Sequence, residues 1–325
     1  MEHLKVNTIG VLTSGGDSPG MNAAVRAVVR TALGENMRVY GIRFGYAGLL
    51  ENDMVEMNMK SVSDCLQRGG TILYTARSKE FAAPEGVEKA ARILRQAEID
   101  GLVVIGGDGS FRGARDLTAA GIPCIGIPGT IDNDIACSDY TIGFDTAVNT
   151  VIESVDKLRD TSKSHHRCSV VEVMGRNAGY IAIHAGIACG AIAALVPEVP
   201  FDIDRDVCDR IKKTLHLGRS HFIVMVSEGV GNTEEIARYI KAQTGVDTRA
   251  TILGHVQRGG SPTGRDRIIA SRMGYYAVKL LRSGFGGRVV AIREDNIVDY
   301  DIDEALSFHK DMDRELYHLV GTISI

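Results

Sequence analysis

Tryptophan is absent from the 325 residues, and seven prolines leave no proline-rich linker. The six cysteines (Cys65, Cys124, Cys137, Cys168, Cys189 and Cys208) are scattered without a C-x-x-C pair, which argues against a zinc site. Several sit inside apolar runs, where a thiol packs as a small hydrophobe. The pattern fits a reducing, cytoplasmic setting. Neither charge sign dominates: 37 basic and 41 acidic residues give a formal net charge of -4, against nonspecific nucleic-acid binding. Met1 to Gly16 carries one Lys and a short apolar stretch, so no signal peptide is expected. Asn177 to Pro197 has no formal charge and nears the roughly 20 residues of a membrane span. Its glycines, alanines and His184 make it only weakly hydrophobic, which points to a buried helix followed by a strand and no membrane partner. No G-x-x-x-x-G-K-[ST] occurs, and no G-x-G-x-x-G follows a strand, so neither a Walker phosphate loop nor a dinucleotide fold is encoded.

What is present is a 44% hydrophobic chain in which apolar runs alternate with amphipathic stretches, the pattern of βαβ units. Its length suggests two domains. Strands are expected at 8–13, 39–42, 101–105, 122–127, 168–173 and 221–226. Helices are expected from Asn22, read as an N-cap, to about Leu33, and at 87–97, 147–159, 233–244 and 266–281.

Glycine and aspartate concentrate where strands end. Gly15-Gly16-Asp17, Gly106-Gly107-Asp108-Gly109-Ser110 and Pro128-Gly129-Thr130-Ile131-Asp132-Asn133-Asp134 each follow an apolar run. Ligands of open α/β sheets bind beyond such carboxyl ends. Glycine admits a phosphate close to the backbone, and aspartate can hold Mg²⁺ or take a proton. The reading is phosphoryl transfer from a magnesium-bound donor to a hydroxyl. Asp108 and Arg77 would neutralise the donor, Asp132 would be the base, and Asp134 a second metal-side carboxylate. A loose transition state asks for positioning and charge neutralisation more than for strong base catalysis. Arg167, Arg176, Arg249, His255 and Arg258 suit a phosphorylated acceptor, because Arg forks match phosphate oxygens. Glu228 at a strand end could accept from sugar hydroxyls or serve in a cap or salt bridge. Arg26 and Arg30, four apart, share a helix face that either binds an anion or is simply solvated. The pair His165-His166 reads as a solvated loop.

In this order, Thr13-Ser14-Gly15-Gly16-Asp17, the Gly106–Ser110 and Pro128–Asp134 segments, Met174-Gly175-Arg176 and Gly254-His255-Val256-Gln257-Arg258-Gly259-Gly260 resemble the bacterial ATP-dependent 6-phosphofructokinase family over nearly the whole chain. The resemblance implies transfer of the ATP γ-phosphoryl group to the 1-hydroxyl of fructose 6-phosphate, the committing step of glycolysis. It implies an α/β fold of two similar doubly wound three-layer domains with the active site in the cleft between them. The ATP-binding domain would take 1–142 and 256–306, and the sugar-phosphate domain 143–255 and 307–325. Gly16, Arg77, Ser78, Gly107, Asp108, Gly109 and Ser110 would line the ATP site. Thr130, Ile131, Asp132, Met174, Gly175, Arg176, Glu228, His255, Val256, Gln257 and Arg258 would contact the sugar phosphate. Thr130, Arg176 and Arg77 would join Asp132 in the catalytic set, with Asp108 and Asp134 on the Mg²⁺ side. Residues matching Arg167 and Arg249 reach a neighbour's site in the family, so a homotetramer with shared sugar-phosphate sites is implied.

Pyrophosphate-dependent relatives carry Asp at the position of Gly109 and Lys at that of Gly129, so two glycines favour ATP by leaving space. Arg26, Arg30, Arg159 and Arg219 fit the family's effector site. Met59, Ile192 and Leu217 replace an Arg, a metal-holding Glu and a Lys there, so weak or absent control by ADP and phosphoenolpyruvate is expected. A pyrophosphate-dependent enzyme and a non-catalytic sensor are the alternatives; the sensor is disfavoured because Asp108 and Asp132 are both present.

Overall fold

A computed structural model describes residues 6–324. Among these residues two sheets form, each within its own compact unit. One unit takes the chain up to Ile131, with Ile135–Asp145 and Arg258–Lys310; the other takes Asp132–Asp134, Thr146–Gln257 and the chain from Asp311. The division falls inside the Thr130–Asp134 run and again between Gln257 and Arg258.

The first unit holds β1 (Thr8–Thr13), β2 (Arg38–Ile42), β3 (Met54–Glu56), β4 (Gly101–Gly106) and β5 (Cys124–Pro128). In the second are β6 (Cys168–Val173), β7 (Ala193–Leu195), β8 (Phe222–Ser227) and β9 (Thr248–Ile252), and the first unit is completed by β10 (Arg288–Arg293) and β11 (Asn296–Asp301). The seven-stranded sheet runs β11-β10-β5-β4-β1-β2-β3. Its central strands are parallel, and an antiparallel strand closes each edge. β1, β4 and β5 are buried along their whole length, as near-continuous apolar runs covered on both faces must be. The chain passes from β1 to β2 on one side and later to β4 on the other, so the strand order reverses between β1 and β4. That is the switch point at which doubly wound sheets hold ligands.

The four-stranded sheet, β7-β8-β6-β9, is wholly parallel. Val170, Val224, Leu195 and Ile240 are among its buried core side chains. Each such side chain contributes about 1.5–3 kcal/mol by leaving water.

Helix ends follow local chemistry. Pro84 opens the helix Pro84–Gln96, where its missing N–H costs nothing. Thr263 caps Gly264–Arg282 by accepting from the Asp266 amide. Gly245, at φ 72°, ends Thr233–Thr244 in the left-handed conformation that glycine adopts without penalty. One expectation is corrected. The helix Met21–Gly34 begins after Gly20, and Asn22 is its second residue rather than its cap. The Asn22 amide instead ties down a distant loop: Nδ2 donates to the Arg68 carbonyl at 3.0 Å and Oδ1 accepts from the Ile72 amide at 2.7 Å. The segment 177–197 forms the buried helix Tyr180–Ala188 and then β7, as expected. Among the described residues no helix is long and apolar enough to cross a membrane. All six cysteines are buried and free.

Candidate functional site

Three adjacent strands of the first unit, β5-β4-β1, bring the three glycine/aspartate loops side by side. Thr13 pairs with Ile105 and Gly106 with Pro128, so all three loops leave the same sheet edge. The Ser14 amide donates to the Ile105 carbonyl at 2.9 Å and the Gly129 amide to the Gly106 carbonyl at 3.0 Å. The loop carrying Arg77 and Ser78 is moored beside them: Thr75 Oγ1 donates to the Gly15 carbonyl at 2.7 Å, and Thr13 Oγ1 to the Tyr74 carbonyl at 2.7 Å. Arg77 is exposed, whereas the Ser78 hydroxyl accepts from the Phe81 amide at 3.1 Å.

Gly107 precedes, and Asp108 and Gly109 open, the helix Asp108–Ala119, whose amino end favours an anion. A Cβ at Gly107 or Gly109 would meet nothing within 4 Å, so both border open space, while Ser110 is buried beneath them. At Gly106 a Cβ would come 2.4 Å from Ser110 Oγ and from the Ser14 carbonyl oxygen, so this glycine serves loop packing.

Two glycines differ from expectation. A Cβ on Gly129 would lie 3.0 Å from Ile105 Cγ2 and 3.1 Å from Met21 Cε, so this glycine is small because its neighbours crowd it, not because it borders open space. Only Gly109 has the emptiness expected of both. Arg258 packs under the first loop, with Nη1 donating to the Asp17 carbonyl at 3.0 Å, and a Cβ on Gly16 would come 2.6 Å from that nitrogen. Gly16 thus makes room for a guanidinium of its own chain. Thr130 and Ile131 are buried, and the Thr130 carbonyl accepts from Thr141 Oγ1 at 2.7 Å.

The second unit gathers another group in the same way. Adjacent parallel strands β8-β6-β9 end in Glu228, in Met174-Gly175-Arg176 and in the 3-10 turn Gly254–Arg258. Asp132 is 0% exposed, and its Oδ2 lies 3.3 Å from Nε of Arg176, whose side chain is 53% exposed. Asn133, at φ 52°, turns the chain between Asp132 and the half-buried Asp134, so the two carboxylates sit in different environments.

Arg176 is itself left-handed at φ 53°, after Gly175 at φ 140°. Glu228 Oε1 accepts from both amides of this turn, Arg176 at 2.7 Å and Gly175 at 3.2 Å. Glu228 is therefore a backbone clamp, a role absent from the sequence reading. Gln257 is buried and bridges two loops: Oε1 accepts from the Met174 amide at 3.2 Å and Nε2 donates to the Gly254 carbonyl at 3.0 Å. His255 and Val256 are exposed beside it.

Arg167 and Arg249 are not with this group. Arg167 precedes β6 and Arg249 is the second residue of β9, whereas Arg176 and His255 follow the carboxyl ends of those strands. At about 3.3 Å per residue, β6 alone separates Arg167 from Met174 by roughly 20 Å. Both arginines instead meet Asp247, which the sequence reading missed. Arg167 Nε lies 2.7 Å and Arg249 Nε 3.5 Å from Oδ2, and Lys241 Nζ 2.8 Å from Oδ1. Hydrogen bonds from Lys241 and Arg167, with the nearby charge of Arg249, hold the Asp247 carboxyl down at about 2. An acidic residue two positions before Arg249 was the available signal.

Of the four arginines expected at an effector site, Arg26 and Arg30 are half-buried in the first unit, and Arg30 Nε is buried without a hydrogen-bond partner among the described residues. In the second unit, Arg159 donates to the Cys189 carbonyl and Arg219 to the Ser324 carbonyl. Leu217 is 70% exposed, whereas Ile192 is 2% exposed within the apolar core. His165 and His166 are exposed, as expected, but His165 closes the helix Phe144–His165 rather than lying in a loop. Among the described residues no group of three or more His, Cys, Asp or Glu side chains forms a metal cluster.

A profile of the phosphofructokinase family matches residues 8–281. An ATP-dependent 6-phosphofructokinase of Clostridium botulinum is 56% identical over 319 residues, covering 98% of this chain and 100% of its own. One from Clostridium tetani is 58% identical over 316 residues, covering 97% of this chain and 99% of its own. The solved phosphofructokinase of Saccharomyces cerevisiae superposes with a TM-score of 0.87 at 36% identity over 98% of this chain, which spans 48% of that longer chain.

Proposed function

The chain belongs to the phosphofructokinase family, and we propose that it acts as an ATP-dependent 6-phosphofructokinase with Asp132 as its base. The reaction moves the γ-phosphoryl group of ATP to the 1-hydroxyl of fructose 6-phosphate, giving fructose 1,6-bisphosphate and ADP, a step of glycolysis. The observation that carries the assignment of Asp132 is its complete burial against the Arg176 guanidinium at 3.3 Å. A buried carboxylate persists beside such a partner, and a carboxylate is what must accept the hydroxyl proton as the new O–P bond forms. Arg176 balances that charge, and its guanidinium is of the kind that offsets the negative charge spread over a transferring phosphoryl group.

The ATP phosphates rest on the amino end of the helix Asp108–Ala119, in the open space beside Gly107 and Gly109, with Arg77 nearby. Mg²⁺ bound with ATP would be held by Asp108 and would supply charge neutralisation on the phosphoryl oxygens. Asp108 fits that task, since it is exposed beside open space and Mg²⁺ typically takes one or two carboxylates together with substrate phosphates and waters. Glu228 holds the Met174–Arg176 turn, and His255 with Gln257 lies beside it for the sugar phosphate. Arg167 lies roughly 20 Å and Arg249 roughly 16 Å of strand away from the loops of their own unit. That supports the reading in which they serve a neighbouring copy within a homotetramer. The two-domain division of labour and a cytoplasmic location belong to the same proposal.

A coupled assay with fructose 6-phosphate and Mg²⁺, run with ATP and with pyrophosphate, tests the donor. Activity with pyrophosphate alone would overturn the reading. Asp132→Ser should lower kcat about 10²-fold or more while sugar-phosphate binding survives; a near-normal kcat would remove Asp132 from the role.

A further inference from the structure

Asp247 lies where three basic side chains converge, at the amino end of the four-stranded sheet. Its own backbone is fixed, because the Asp247 carbonyl accepts from the Cys168 amide at 3.0 Å as β9 comes into register with β6. Its carboxylate is fixed too. Oδ1 accepts from Lys241 Nζ at 2.8 Å, and Lys241 stands in the last turn of the helix Thr233–Thr244. Oδ2 is left for the two arginines. Arg167 donates to it through Nε at 2.7 Å, and Arg249 approaches it through Nε at 3.5 Å.

The atom used is the point. A guanidinium has five N–H donors in a planar fork. Engagement at Nε holds the plane from the side and leaves the terminal nitrogens, the ones suited to a phosphate, uncommitted. Neither arginine's terminal nitrogens have another hydrogen-bond partner among the described residues. Without a carboxylate between them, two guanidiniums and an ammonium would repel one another and fan into solvent. Each long side chain would then have to be ordered by the ligand itself, which weakens binding.

We propose that Asp247 is a positioning residue for the reaction, a tether that presents Arg167 and Arg249 together, terminal nitrogens outward, to one phosphate group of the sugar substrate. The inference rests on the proposed phosphate role of those two arginines. Asp247 touches no substrate. Its negative charge opposes an incoming phosphate, but that cost is covered by the three cations around it. The low pKa keeps the tether charged at every working pH.

The test is steady-state kinetics on the whole enzyme with Asp247→Asn, Asp247→Glu and Arg249→Ala. Asp247→Asn should raise KM for fructose 6-phosphate about tenfold, the worth of one charge-assisted hydrogen bond, with kcat and KM for ATP within about twofold. Asp247→Glu should recover much of the loss. A general folding defect would move kcat and both KM values together and would not be rescued in this way. An unchanged or lowered KM in Asp247→Asn, with KM raised in Arg249→Ala, overturns the tether and makes Asp247 a bystander or a competitor. If Arg249→Ala also leaves KM unchanged, the phosphate role of the arginine is what fails. Should Asp247→Asn not fold, Lys241→Met, which loosens Oδ1 alone, should raise the same KM about threefold, and no rise would refute the tether.

Discussion

Replacing Glu228 by Ala isolates the clamp on the Met174–Arg176 turn. Glu228 Oε1 holds the Arg176 amide at 2.7 Å and the Gly175 amide at 3.2 Å. It does so against the left-handed conformation of Arg176, φ 53°, which costs a non-glycine residue about 1–2 kcal/mol. Hydrogen bonds to a charged group contribute about 1.5–3 kcal/mol each, the longer one toward the low end, so the clamp outweighs the strain. In the Ala variant the strain stands alone. A turn uphill by about 1.4 kcal/mol is populated about one time in ten, and only that fraction keeps the Arg176 guanidinium against Asp132. The expected result is a fall in kcat of about tenfold. Glu228→Gln keeps an acceptor for both amides at about 0.5–1.5 kcal/mol each, enough to offset the strain, so its kcat should stay within about threefold. Both variants are to be measured at saturating ATP and fructose 6-phosphate. A kcat within twofold of wild type in Glu228→Ala, with only the sugar-phosphate KM raised, would refute the clamp and leave Glu228 as a sugar-hydroxyl acceptor. Glu228→Gln as impaired as Glu228→Ala would show that charge rather than acceptor geometry matters.

Gly109→Asp adds a side chain into open space, so the thermal midpoint should hold, while KM for ATP rises about tenfold or more as a second carboxylate joins Asp108 where phosphates approach; an unchanged KM would remove Gly109 from donor recognition. The Asp247 carboxyl, ordinarily near 3.8, is held at about 2, so its stabilising effect is complete above its unfolded value and is lost as pH falls toward 2. Urea midpoints of wild type and Asp247→Asn should therefore differ at pH 6 and converge near pH 2; a constant gap would contradict the linkage. If Met59, Ile192 and Leu217 occupy effector positions as the family resemblance implies, the sugar-phosphate saturation curve should be hyperbolic and respond weakly or not at all to ADP and phosphoenolpyruvate. A sigmoidal curve made hyperbolic by ADP would refute it.

The strand-end loops were legible because two local signals coincide there. Runs such as Gly101–Gly106 can only be strands buried on both faces, and the Gly/Asp cluster that follows cannot continue one. Helix starts were less legible. Asn22 has the chemistry of a cap, but its amide is spent on Arg68 and Ile72, 46 and 50 residues away, which no local pattern reports. Asp247 showed only its place two positions before Arg249, because its partners Arg167 and Lys241 come to it through the β6–β9 pairing and the close of a helix.

By itself the amino-acid order determined that parallel sheets would form and that glycine and aspartate, Asp108 and Asp132 among them, would gather beyond their carboxyl ends. Those properties depend on periodicity and backbone conformation, which act over a few residues. Only the tertiary structure decided what each polar group is committed to. Gly16 yields to Arg258, Gly129 to Ile105 and Met21, Glu228 to two amides, and Asp247 to three cations. The physical reason is that hydrogen-bond and ion-pair partners are chosen by proximity in space, and strand pairing places side by side residues that lie tens to hundreds of positions apart.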